Sequence, residues 1–377
     1  MRIGFDGKRA VQNFTGLGNY SRYVADILCH FYPENDYVLY APKKRENKRM
    51  NLLTGQYRQL TLAYPATFFW KKLSSLWRVW GITSQLEKEG IELFHGLSNE
   101  LPLNIHKSRI KSIVTIHDLI FLRYPQYYQS IDRKIYTYKF RKACENADKI
   151  IAISECTKRD IIRYFNIPDD KIEVVYQGCD VSFTHPVTEE KKKEVRKKYQ
   201  LPDHYILNVG SIEERKNILA AVQALPMLPQ HIHIVIVGRR TGYTEKVEQF
   251  IKDNGLGERV HIISNVPFND LPAFYQSAEI FVYPSRFEGF GIPIIEALYS
   301  GIPVVAATGS CLEEAGGPDS IYVNPDDITG LADAFKQIYS NSDKRKNMVE
   351  KGREFAKRFS EKQQSEEIIN IYKKLIR

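Results

Sequence analysis

The chain of 377 residues has few cysteines and no long apolar run. Its five cysteines are scattered, odd in number and form no Cys-x-x-Cys pair, so we expect neither a disulfide framework nor a thiolate metal site. No apolar stretch approaches the roughly 18 residues that span a bilayer, and the N-terminus, MRIGFDGKRA, lacks the apolar core of a signal peptide. We therefore expect a soluble protein that stays in a reducing cytoplasm.

Metal-binding patterns are also missing. No Asp-x-Asp motif occurs, and the nine histidines show no zinc spacing. We therefore expect no metal and no cofactor.

The formal charge of +9 is unevenly distributed. Residues 1–180 hold 28 Lys and Arg against 19 Asp and Glu, whereas residues 181–377 hold 26 of each. This excess favours an anionic partner: nucleic acid, an acidic membrane or a pyrophosphate-bearing acceptor. Plain solubility explains it equally well. No recognised nucleic-acid motif accompanies the charge, so a nucleic-acid-binding protein is the weaker interpretation and we expect no nucleic acid partner.

Strand and helix patterns alternate twice along the chain. The predicted strands of the first half are 2–6, 37–41, 91–96, 112–119, 150–154 and 172–178, and its predicted helices are 19–30, 68–88, 132–146 and 155–165. The predicted strands of the second half are 205–210, 233–238, 260–264, 280–283, 302–307 and 321–324. This alternation indicates an α/β fold of two doubly wound, Rossmann-like domains, 1–180 and 181–360, with a cleft between them.

One βαβ unit, residues 280–307, contains the most informative motif. Glu288 and Glu296 stand with seven residues between them around a glycine-rich turn. Gly289 and Gly291 allow close backbone approach to a ligand, and the helix that follows offers free N–H groups. Glu288 can accept hydrogen bonds from sugar hydroxyls, and Glu296 can bind a vicinal diol such as a ribose. The spacing suits a nucleotide sugar.

The stretch from Glu288 through Gly-Phe-Gly-Ile-Pro-Ile-Ile to Glu296, followed by Ala-Leu and Gly301-Ile-Pro-Val-Val, resembles the signature of the retaining glycosyltransferases of family 4. The resemblance extends over essentially the whole chain. It implies the GT-B fold, in which residues 1–180 bind the acceptor, residues 181–360 bind the donor, and a last helix, 361–377, packs back on the N-terminal domain. It also implies that Glu288 orients the donor sugar and that Phe290 lies in the donor site.

A second group of candidate residues follows the strand 205–210. Gly210 is followed by Arg215 and Lys216, two cations suited to a diphosphate leaving group. Many family members carry arginine where this chain has Ser211, and we expect Arg215 to replace it. The resemblance also places the loop around Val266 against the nucleotide base.

Two further loops belong to the first half. His117 and Asp118 end the strand 112–119, and the resemblance implies that this histidine contacts the donor sugar. Gly16 and Gly18 follow the first strand, where they could expose backbone donors to a phosphate or acceptor. They form neither a full dinucleotide fingerprint nor a Walker loop.

The resemblance implies a retaining glycosyltransferase that moves a hexose from a nucleotide-diphosphate sugar to a glycan or lipid-linked glycan in surface polysaccharide synthesis. Mannose from GDP-mannose is the preferred donor, because the stretch GSIEERKN, residues 210–217, resembles that of mannosyltransferases. The expected mechanism is same-face substitution through an oxocarbenium-like state. The alternative enzyme class is a sugar-nucleotide epimerase or phosphorylase of the same architecture.

Residues 64–80, here called the aromatic segment, mix aromatic and cationic residues. One interpretation places them at the boundary of an anionic membrane, at its inner face. The other makes them the buried face of a domain helix with solvated cations. The apolar residues concerned are Phe68, Phe69, Leu73, Leu76 and Trp80, and the cations are Lys71, Lys72 and Arg78.

Overall fold

The computed structural model describes residues 1–376 and divides into two compact units. Unit 1 comprises Met1–Gln177 and the last helix, Glu361–Ile376, and unit 2 comprises Gly178–Ser360. The boundaries expected from the sequence, 180 and 360, lie close to these divisions.

Unit 1 is built on a seven-stranded parallel sheet with the order β3-β2-β1-β4-β5-β6-β7. Its strands are β1 Arg2–Asp6, β2 Asp36–Tyr40, β3 Leu60–Ala63, β4 Leu93–Gly96, β5 Lys111–Ile116, β6 Lys149–Ala152 and β7 Ile172–Val174. The strand order reverses between β1 and β4, and such a switch point opens a crevice at the carboxyl ends of the strands.

Helices connect these strands. The α-helices of unit 1 are Lys8–Gln12, Gly16–Phe31, Lys48–Gln56, Phe68–Lys72, Ser74–Leu76, Ile82–Lys88, Ile120–Arg123, Ser130–Asn146, Glu155–Phe165 and Glu361–Ile376; Trp77–Gly81 is a π-helical turn, and Ile105–Lys107, Pro125–Tyr127 and Asp169–Lys171 are 3₁₀ turns. Ser154 accepts a hydrogen bond from the Thr157 N–H and so caps the helix that the sequence predicted there.

The sheet of unit 1 buries side chains on both faces. Leu93 and Ile113 pack in one hydrophobic cluster. Their neighbours along the chain, Phe94 and Val114, pack in another. Successive residues of a strand point to opposite faces, so continuous apolar strands fit a sheet covered by helices on both sides.

The last helix completes the core of unit 1. Ile368, Ile369 and Tyr372 are buried in the cluster that also contains β1. The Tyr372 hydroxyl lies 2.6 Å from Nδ1 of His95, and Nε2 of His95 lies 2.8 Å from the Thr115 hydroxyl. Burial lowers the pKa of His95 to about 3, so the ring is neutral in this chain of hydrogen bonds.

Unit 2 contains a six-stranded parallel sheet with the order β10-β9-β8-β11-β12-β13. Its strands are β8 Tyr205–Val209, β9 His233–Val237, β10 Val260–Ile263, β11 Ile280–Tyr283, β12 Val304–Ala307 and β13 Ile321–Val323. Here the order reverses between β8 and β11.

The helices of unit 2 alternate with these strands. Its α-helices are Glu189–Tyr199, Ile218–Ala224, Tyr243–Asp253, Leu271–Ser277, Ile292–Ser300, Leu312–Gly316, Ile328–Ser340 and Ser342–Ala356; its 3₁₀ turns are Val181–Phe183, Glu214–Lys216, Leu225–Met227, Phe268–Asp270 and Lys357–Phe359. The helix Ile292–Ser300 carries Pro293 in its first turn and ends at Gly301, whose φ of 74° favours glycine.

Two differences between the structure and the sequence-based expectation concern a strand and a helix of unit 1. Strand β3 was not predicted, because four residues at the edge of a sheet give too short an alternation. The helix predicted over 68–88 is broken: Leu73 has φ −105° and ψ 42°, outside the helical region, and a π-helical turn follows at Trp77–Gly81. Such turns are frequent at functional sites.

We expect Ile369→Ala to lower the free energy of unfolding of unit 1 by about 2–5 kcal/mol, because it opens a cavity in a filled core. The neighbouring exposed residue provides the control, Asn370→Ala, which should change stability by less than about 0.5 kcal/mol. All three tryptophans, at 70, 77 and 80, belong to unit 1, so urea unfolding followed by tryptophan fluorescence reports on this unit. Equal effects of the two substitutions would contradict the packing of the last helix.

Candidate active site

Three charged side chains meet at the switch point of unit 2. Arg215 and Lys216 belong to the 3₁₀ turn after β8, and Glu288 belongs to the loop after β11. Because β8 and β11 are parallel neighbours, their carboxyl ends lie side by side. The backbone N–H of Arg286 also donates to the Arg215 carbonyl and ties the two loops together at 2.9 Å. This is the edge where open α/β sheets bind ligands.

Glu288 lies between the two cations. Its Oε2 is 2.8 Å from Nη1 of Arg215, and its Oε1 is 3.3 Å from Nζ of Lys216. Oε1 also accepts hydrogen bonds from the hydroxyls of Tyr283, at 3.1 Å, and Ser285, at 3.0 Å. Nζ of Lys216 donates in turn to the Tyr283 hydroxyl at 2.9 Å. The carboxylate thus fixes the position of both cations.

The cluster carries a net positive charge. Burial alone would raise the pKa of Glu288, but Lys216 and Arg215 outweigh burial and lower it to about 2. Burial likewise would lower the pKa of Lys216, but Glu288 and Tyr283 raise it above its ordinary value. Glu288 and Lys216 are therefore ionised at neutral pH, as arginine is. Glu213 lies 3.8 Å from Arg215, and Arg239 lies 3.6 Å from Glu213, so the group as a whole holds three cations and two carboxylates.

Gly210 makes room for the lysine. Its φ is 154°, and a Cβ atom there would lie 3.1 Å from Nζ of Lys216. Gly238, at the end of β9, leaves space for the backbone of Gly210. A Cβ atom at Gly238 would lie 1.7 Å from the Gly210 carbonyl oxygen. The strand ends of β8 and β9 thus approach closely, and no side chain larger than hydrogen fits at Gly238.

Glu296 lies on the helix Ile292–Ser300 and is partly exposed. Its Oε2 accepts a 2.6 Å hydrogen bond from the hydroxyl of Tyr275, which is the partner that a carboxylate among apolar neighbours requires. Burial raises the pKa of Glu296 to about 7; the hydrogen bond from Tyr275 lowers it, and the charge of Asp180 raises it. The group therefore titrates near neutral pH.

The glycine-rich turn between the two glutamates is largely buried. The side chain of Phe290 is 3% exposed and packs edge-on against Phe359, so any ligand contact of Phe290 involves its backbone. Gly289 is buried beside it. A Cβ atom at Gly291 would lie 3.0 Å from Cβ of Ala315, so the absence of a side chain at Gly291 serves packing within unit 2.

The side chain of Cys311 contacts the backbone of the same glycine-rich turn. Sγ of Cys311 is buried and lies 2.9 Å from the carbonyl oxygens of both Glu288 and Phe290.

The loop that follows β10 contains Val266, which is half-buried, beside Asn265, whose φ of 59° is left-handed. This loop lies at the same carboxyl edge of the sheet.

His117 follows β5 in unit 1 and is buried. Its Nε2 lies 2.9 Å from the Leu97 carbonyl oxygen, and its Nδ1 lies 3.2 Å from Nε2 of Gln177. Because a carbonyl only accepts, Nε2 carries the proton and Nδ1 accepts from Gln177. Burial lowers the pKa of His117 to about 4, so the ring is neutral with both nitrogens engaged.

The remaining candidates of unit 1 lie nearby. The helix that carries Tyr20 begins at Gly16, so Gly16 and Gly18 form its first turn and not the loop that the sequence predicted. A Cβ atom at Gly18 would lie 2.0 Å from the Asn13 carbonyl oxygen. The Tyr20 ring packs edge-on against His117, with ring centroids 4.6 Å apart.

Asp118 has a local structural role. Its carboxylate accepts a 3.1 Å hydrogen bond from the Ile120 N–H at the start of a helical turn. The structure thus gathers Arg215, Lys216, Glu288 and Gly210 around one point of unit 2, and the glycine helix with His117 within unit 1.

An ion-pair network at the switch point of unit 1 was not predicted. Arg78, from the π-helical turn, is bonded to Asp6 at the end of β1, and its Nη1 lies 2.7 Å from the Glu100 carboxylate. Burial alone would lower the pKa of Arg78, but the two carboxylates raise it above its ordinary range.

The aromatic segment is exposed, and the interpretation of its apolar residues as a buried helix face is wrong. Their exposed fractions run from 39% for Leu73 to 73% for Phe68. The expectation that Arg78 is solvated is also wrong, because Asp6 and Glu100 hold it inside unit 1. The buried side of the segment is formed by Ser74 and Trp77.

Sequence reasoning also missed several supporting residues. Tyr283 and Ser285 bind Glu288, Tyr275 binds Glu296, and Gln177 binds His117. Only Tyr283 and Ser285 left a signal, since they stand at the end of an apolar strand next to the glutamate motif. Tyr275 lies on a helix 21 residues from its partner, and Gln177 lies 60 residues from its own.

Among residues 1–376, no group of three or more His, Cys, Asp or Glu side chains is placed to hold a metal ion. Within the same range no helix combines the length and the apolar character needed to cross a bilayer.

Comparison with known structures supports the two-sheet architecture. A sucrose-phosphate synthase from Thermosynechococcus elongatus superposes with a TM-score of 0.78 at 20% identity, covering 100% of this chain and 99% of the other. Anabaena Alr3699/HepE in complex with UDP and glucose superposes with a TM-score of 0.77 at 18% identity, covering both chains completely. The fold is that of the GT-B glycosyltransferases.

Sequence comparison identifies the family. Residues 188–355 match the family model described as glycosyl transferases group 1, and residues 21–183 match that of glycosyltransferase family 4. The chain is similar to O-antigen chain mannosyltransferase B of Escherichia coli, with 31% identity over 75% of this chain and 74% of the relative. It is also similar to O-antigen chain mannosyltransferase RfbU of Salmonella typhimurium, with 29% identity over 60% of each. The chain belongs to glycosyltransferase family 4 and is a glycosyltransferase.

The titration of Glu296 predicts a pH-dependent stability. The native state holds this proton up to about pH 7, whereas the unfolded chain releases it near the ordinary value of 4.5. The unfolded state therefore binds fewer protons between these values, and the free energy of unfolding falls as the pH rises from 4.5 to 7. For this partly exposed group we expect a fall on the order of 2 kcal/mol.

Glu296→Gln removes this titration. The free energy of unfolding of both proteins is measured in urea at pH 5, 6, 7 and 8 by circular dichroism. The value for the native chain minus that for Glu296→Gln should decrease as the pH rises and level off above about pH 8. A difference that is constant across the series would contradict the raised pKa.

Proposed function

We propose that this glycosyltransferase moves mannose from GDP-mannose to a glycan or lipid-linked glycan acceptor, with retention of the anomeric configuration, in the synthesis of a surface polysaccharide. The observation that carries the proposal is the cluster of Arg215, Lys216 and Glu288 at the switch point of unit 2. Its excess positive charge suits a diphosphate, and its position at the carboxyl edge of the sheet suits a nucleotide.

The two cations stabilise the leaving group in this mechanism. As the bond between the anomeric carbon and the phosphate oxygen breaks, negative charge develops on the nucleoside diphosphate. A guanidinium and an ammonium that are already held in place stabilise this charge without reorganisation. The helix that begins at Ile292 adds the positive end of its dipole at the same edge.

Substitution on the same face accounts for retention. The acceptor oxygen bonds to the anomeric carbon on the side that the phosphate leaves, and its proton passes to the departing phosphate oxygen. The sugar is oxocarbenium-like between the two events. No bond to the protein forms, and the products are the glycosylated acceptor and GDP.

Glu288 is poorly suited to attack the sugar. A two-carboxylate glycosidase of the retaining type needs a free carboxylate behind the anomeric carbon. Both oxygens of Glu288 are already engaged, with Arg215 on one and with Lys216, Tyr283 and Ser285 on the other. Its pKa of about 2 also makes it a weak nucleophile. We assign it to orienting the cations and the donor hydroxyls.

Glu296 is assigned to the ribose diol and the loop at Val266 to the base. Ionised Glu296 presents two acceptors to a vicinal diol, and Tyr275 holds its orientation. In unit 1 we assign His117 to the transferred sugar; since both ring nitrogens are bound internally, the ring is a rigid neutral surface and not a proton carrier.

The choice of mannose and of a surface polysaccharide comes from the relatives, two of which are named O-antigen chain mannosyltransferases. The choice of a lipid-linked acceptor comes from the aromatic segment. Phe68 and Phe69 are exposed next to Lys71 and Lys72, and exposed aromatics with lysines suit the headgroup region of an anionic membrane. We place the enzyme at the inner face of that membrane.

Donor choice can be measured with the melting temperature of the protein in the presence of UDP-, GDP- and ADP-sugars. A ligand at 100 times its dissociation constant stabilises the native state by about 2.7 kcal/mol, so we expect GDP-mannose to give the largest shift. Radiolabel from the same donor should then appear on a separate acceptor. Label that stays on the nucleotide sugar would indicate an epimerase and contradict the proposal.

Substitutions in the cluster test the role of its charges. We expect Lys216→Ala and Glu288→Ala each to lower transfer by at least about 100-fold, because the first removes a cation from the leaving group and the second removes the carboxylate that positions both cations. The matched control is Lys336→Ala, at an exposed position of the helix Ile328–Ser340 in unit 2, which should transfer normally. Circular dichroism checks that all three proteins are folded. Near-normal turnover in either cluster variant would refute the assigned role.

Membrane contact can be measured by flotation with anionic vesicles. The double substitution Phe68→Ser, Phe69→Ser should lower the bound fraction about fivefold or more, because membrane affinity follows buried apolar area. Leu52→Ser, at another exposed apolar residue of unit 1, is the control and should bind as the native chain does. If the native chain fails to float even at low salt, the membrane contact is refuted.

A further inference from the structure

A groove of about 320 Å³ lies on unit 1, outside the cluster at Glu288. Its walls come from the π-helical turn, from the segment after β4 and from the helix Ser130–Asn146. Five of its eight lining residues are apolar or aromatic: Val79, Leu101, Leu103, Ile135 and Tyr138. The volume is at the lower end of the range of about 300–1,000 Å³ for small-molecule sites.

The polar lining residues are Glu100, Lys134 and Lys139. Glu100 is committed to Arg78 at 2.7 Å and lies 3.6 Å from Nζ of Lys139. Since Arg78 also binds Asp6 at the end of β1, this end of the groove adjoins the switch point of the sheet of unit 1. Lys134 is exposed at the rim. Arg78 and Lys139 together balance Asp6 and Glu100, so Lys134 supplies the excess positive charge at the polar end of the groove.

The groove opens among the most exposed apolar side chains of unit 1. Ile135 and Tyr138 are themselves exposed, and Trp80 lies next to Val79 in the aromatic segment. Exposed apolar residues in such a group indicate a surface that binds something.

We propose that this groove binds the hydrocarbon chain of the lipid-linked acceptor, with the phosphate of that lipid beside Lys134 and Lys139. The inference rests on the proposed function and names where its acceptor is held. The apolar walls remove the first part of the chain from water, and the lysines pair with the phosphate. The sugar end of the lipid is thereby directed to the carboxyl edge of the sheet of unit 1.

The binding test uses the full-length protein with farnesyl phosphate, farnesol and inorganic phosphate as probes, measured by calorimetry below the concentration at which the lipids aggregate. We expect farnesyl phosphate to bind, farnesol to bind about tenfold more weakly for lack of the phosphate contact, and inorganic phosphate to give no detectable binding. If farnesyl phosphate fails to bind, or if inorganic phosphate binds equally well, the inference is overturned.

Two isoleucines on one helix provide a matched pair of variants. Ile135 lines the groove and Ile131, one turn earlier, does not, although both are exposed. Ile135→Asp should weaken farnesyl phosphate binding about tenfold or more, and Ile131→Asp should stay within about twofold. Equal losses would mean general adsorption to the exposed surface and would overturn the inference. Neither position is in the core, so both variants should fold.

The lysines are tested in the same way. Lys134→Gln should lower the affinity for farnesyl phosphate about threefold, part of the way to that for farnesol, because Lys139 remains. Lys142→Gln, two turns further along the helix and outside the groove, should leave the affinity unchanged. Flotation with anionic vesicles is measured in parallel. If Ile135→Asp lowers vesicle binding but leaves farnesyl phosphate binding intact, the occupant is the bilayer and not the acceptor chain, and the inference fails.

Transfer assays separate this inference from the proposed function. Ile135→Asp should lower transfer to a polyprenyl-diphosphate-linked glycan and leave unchanged both transfer to a water-soluble glycan and the melting-temperature shift with GDP-mannose. If the native chain and Ile135→Asp transfer equally well to the lipid-linked acceptor, the inference about the groove is overturned and the proposed function is unaffected. Farnesyl phosphate binding that depends on Ile135, with no transfer to any lipid-linked glycan, would support the groove and refute the proposed acceptor.

Discussion

The carboxylate of Glu288 is the constraint on which the charged cluster of unit 2 depends. Two cations on one short turn repel each other and would spread into solvent without a counter-charge. Glu288 holds each of them at a separate oxygen, and Tyr283 and Ser285 hold the carboxylate. The result is a site that is already organised for an anion before any ligand arrives, which is the condition under which electrostatic stabilisation costs least.

The two units use the same topological device for different chemistry. In each sheet the strand order reverses once, and in each the charged residues gather at that reversal. In unit 2 the ion group has cations in excess, and we proposed a diphosphate as its ligand. In unit 1 Arg78 is paired with both Asp6 and Glu100, so its charge holds the edge of the sheet together, and the proposed lipid site uses the groove beside it.

Local sequence was enough to predict most of the strands and to single out the residues that cluster at the switch point of unit 2. Buried parallel strands appear as continuous apolar runs, and the motif from Glu288 to Glu296 is long and specific. Contacts between distant residues were beyond reach: the burial of Arg78 depends on Asp6, 72 residues away, and the partner of Glu296 is a tyrosine on another helix. The break at Leu73 also has no local signature, because no glycine or proline marks it.

The last helix has a consequence for how the chain is made. Ile368, Ile369 and Tyr372 fill the cluster that contains β1, so the core around β1 is closed only by residues that are synthesised after all of unit 2. Unit 2, whose residues are contiguous from 178 to 360, has no such delay. Domains fold as units during synthesis. Unit 2 can therefore reach its native state before the core of unit 1 is closed.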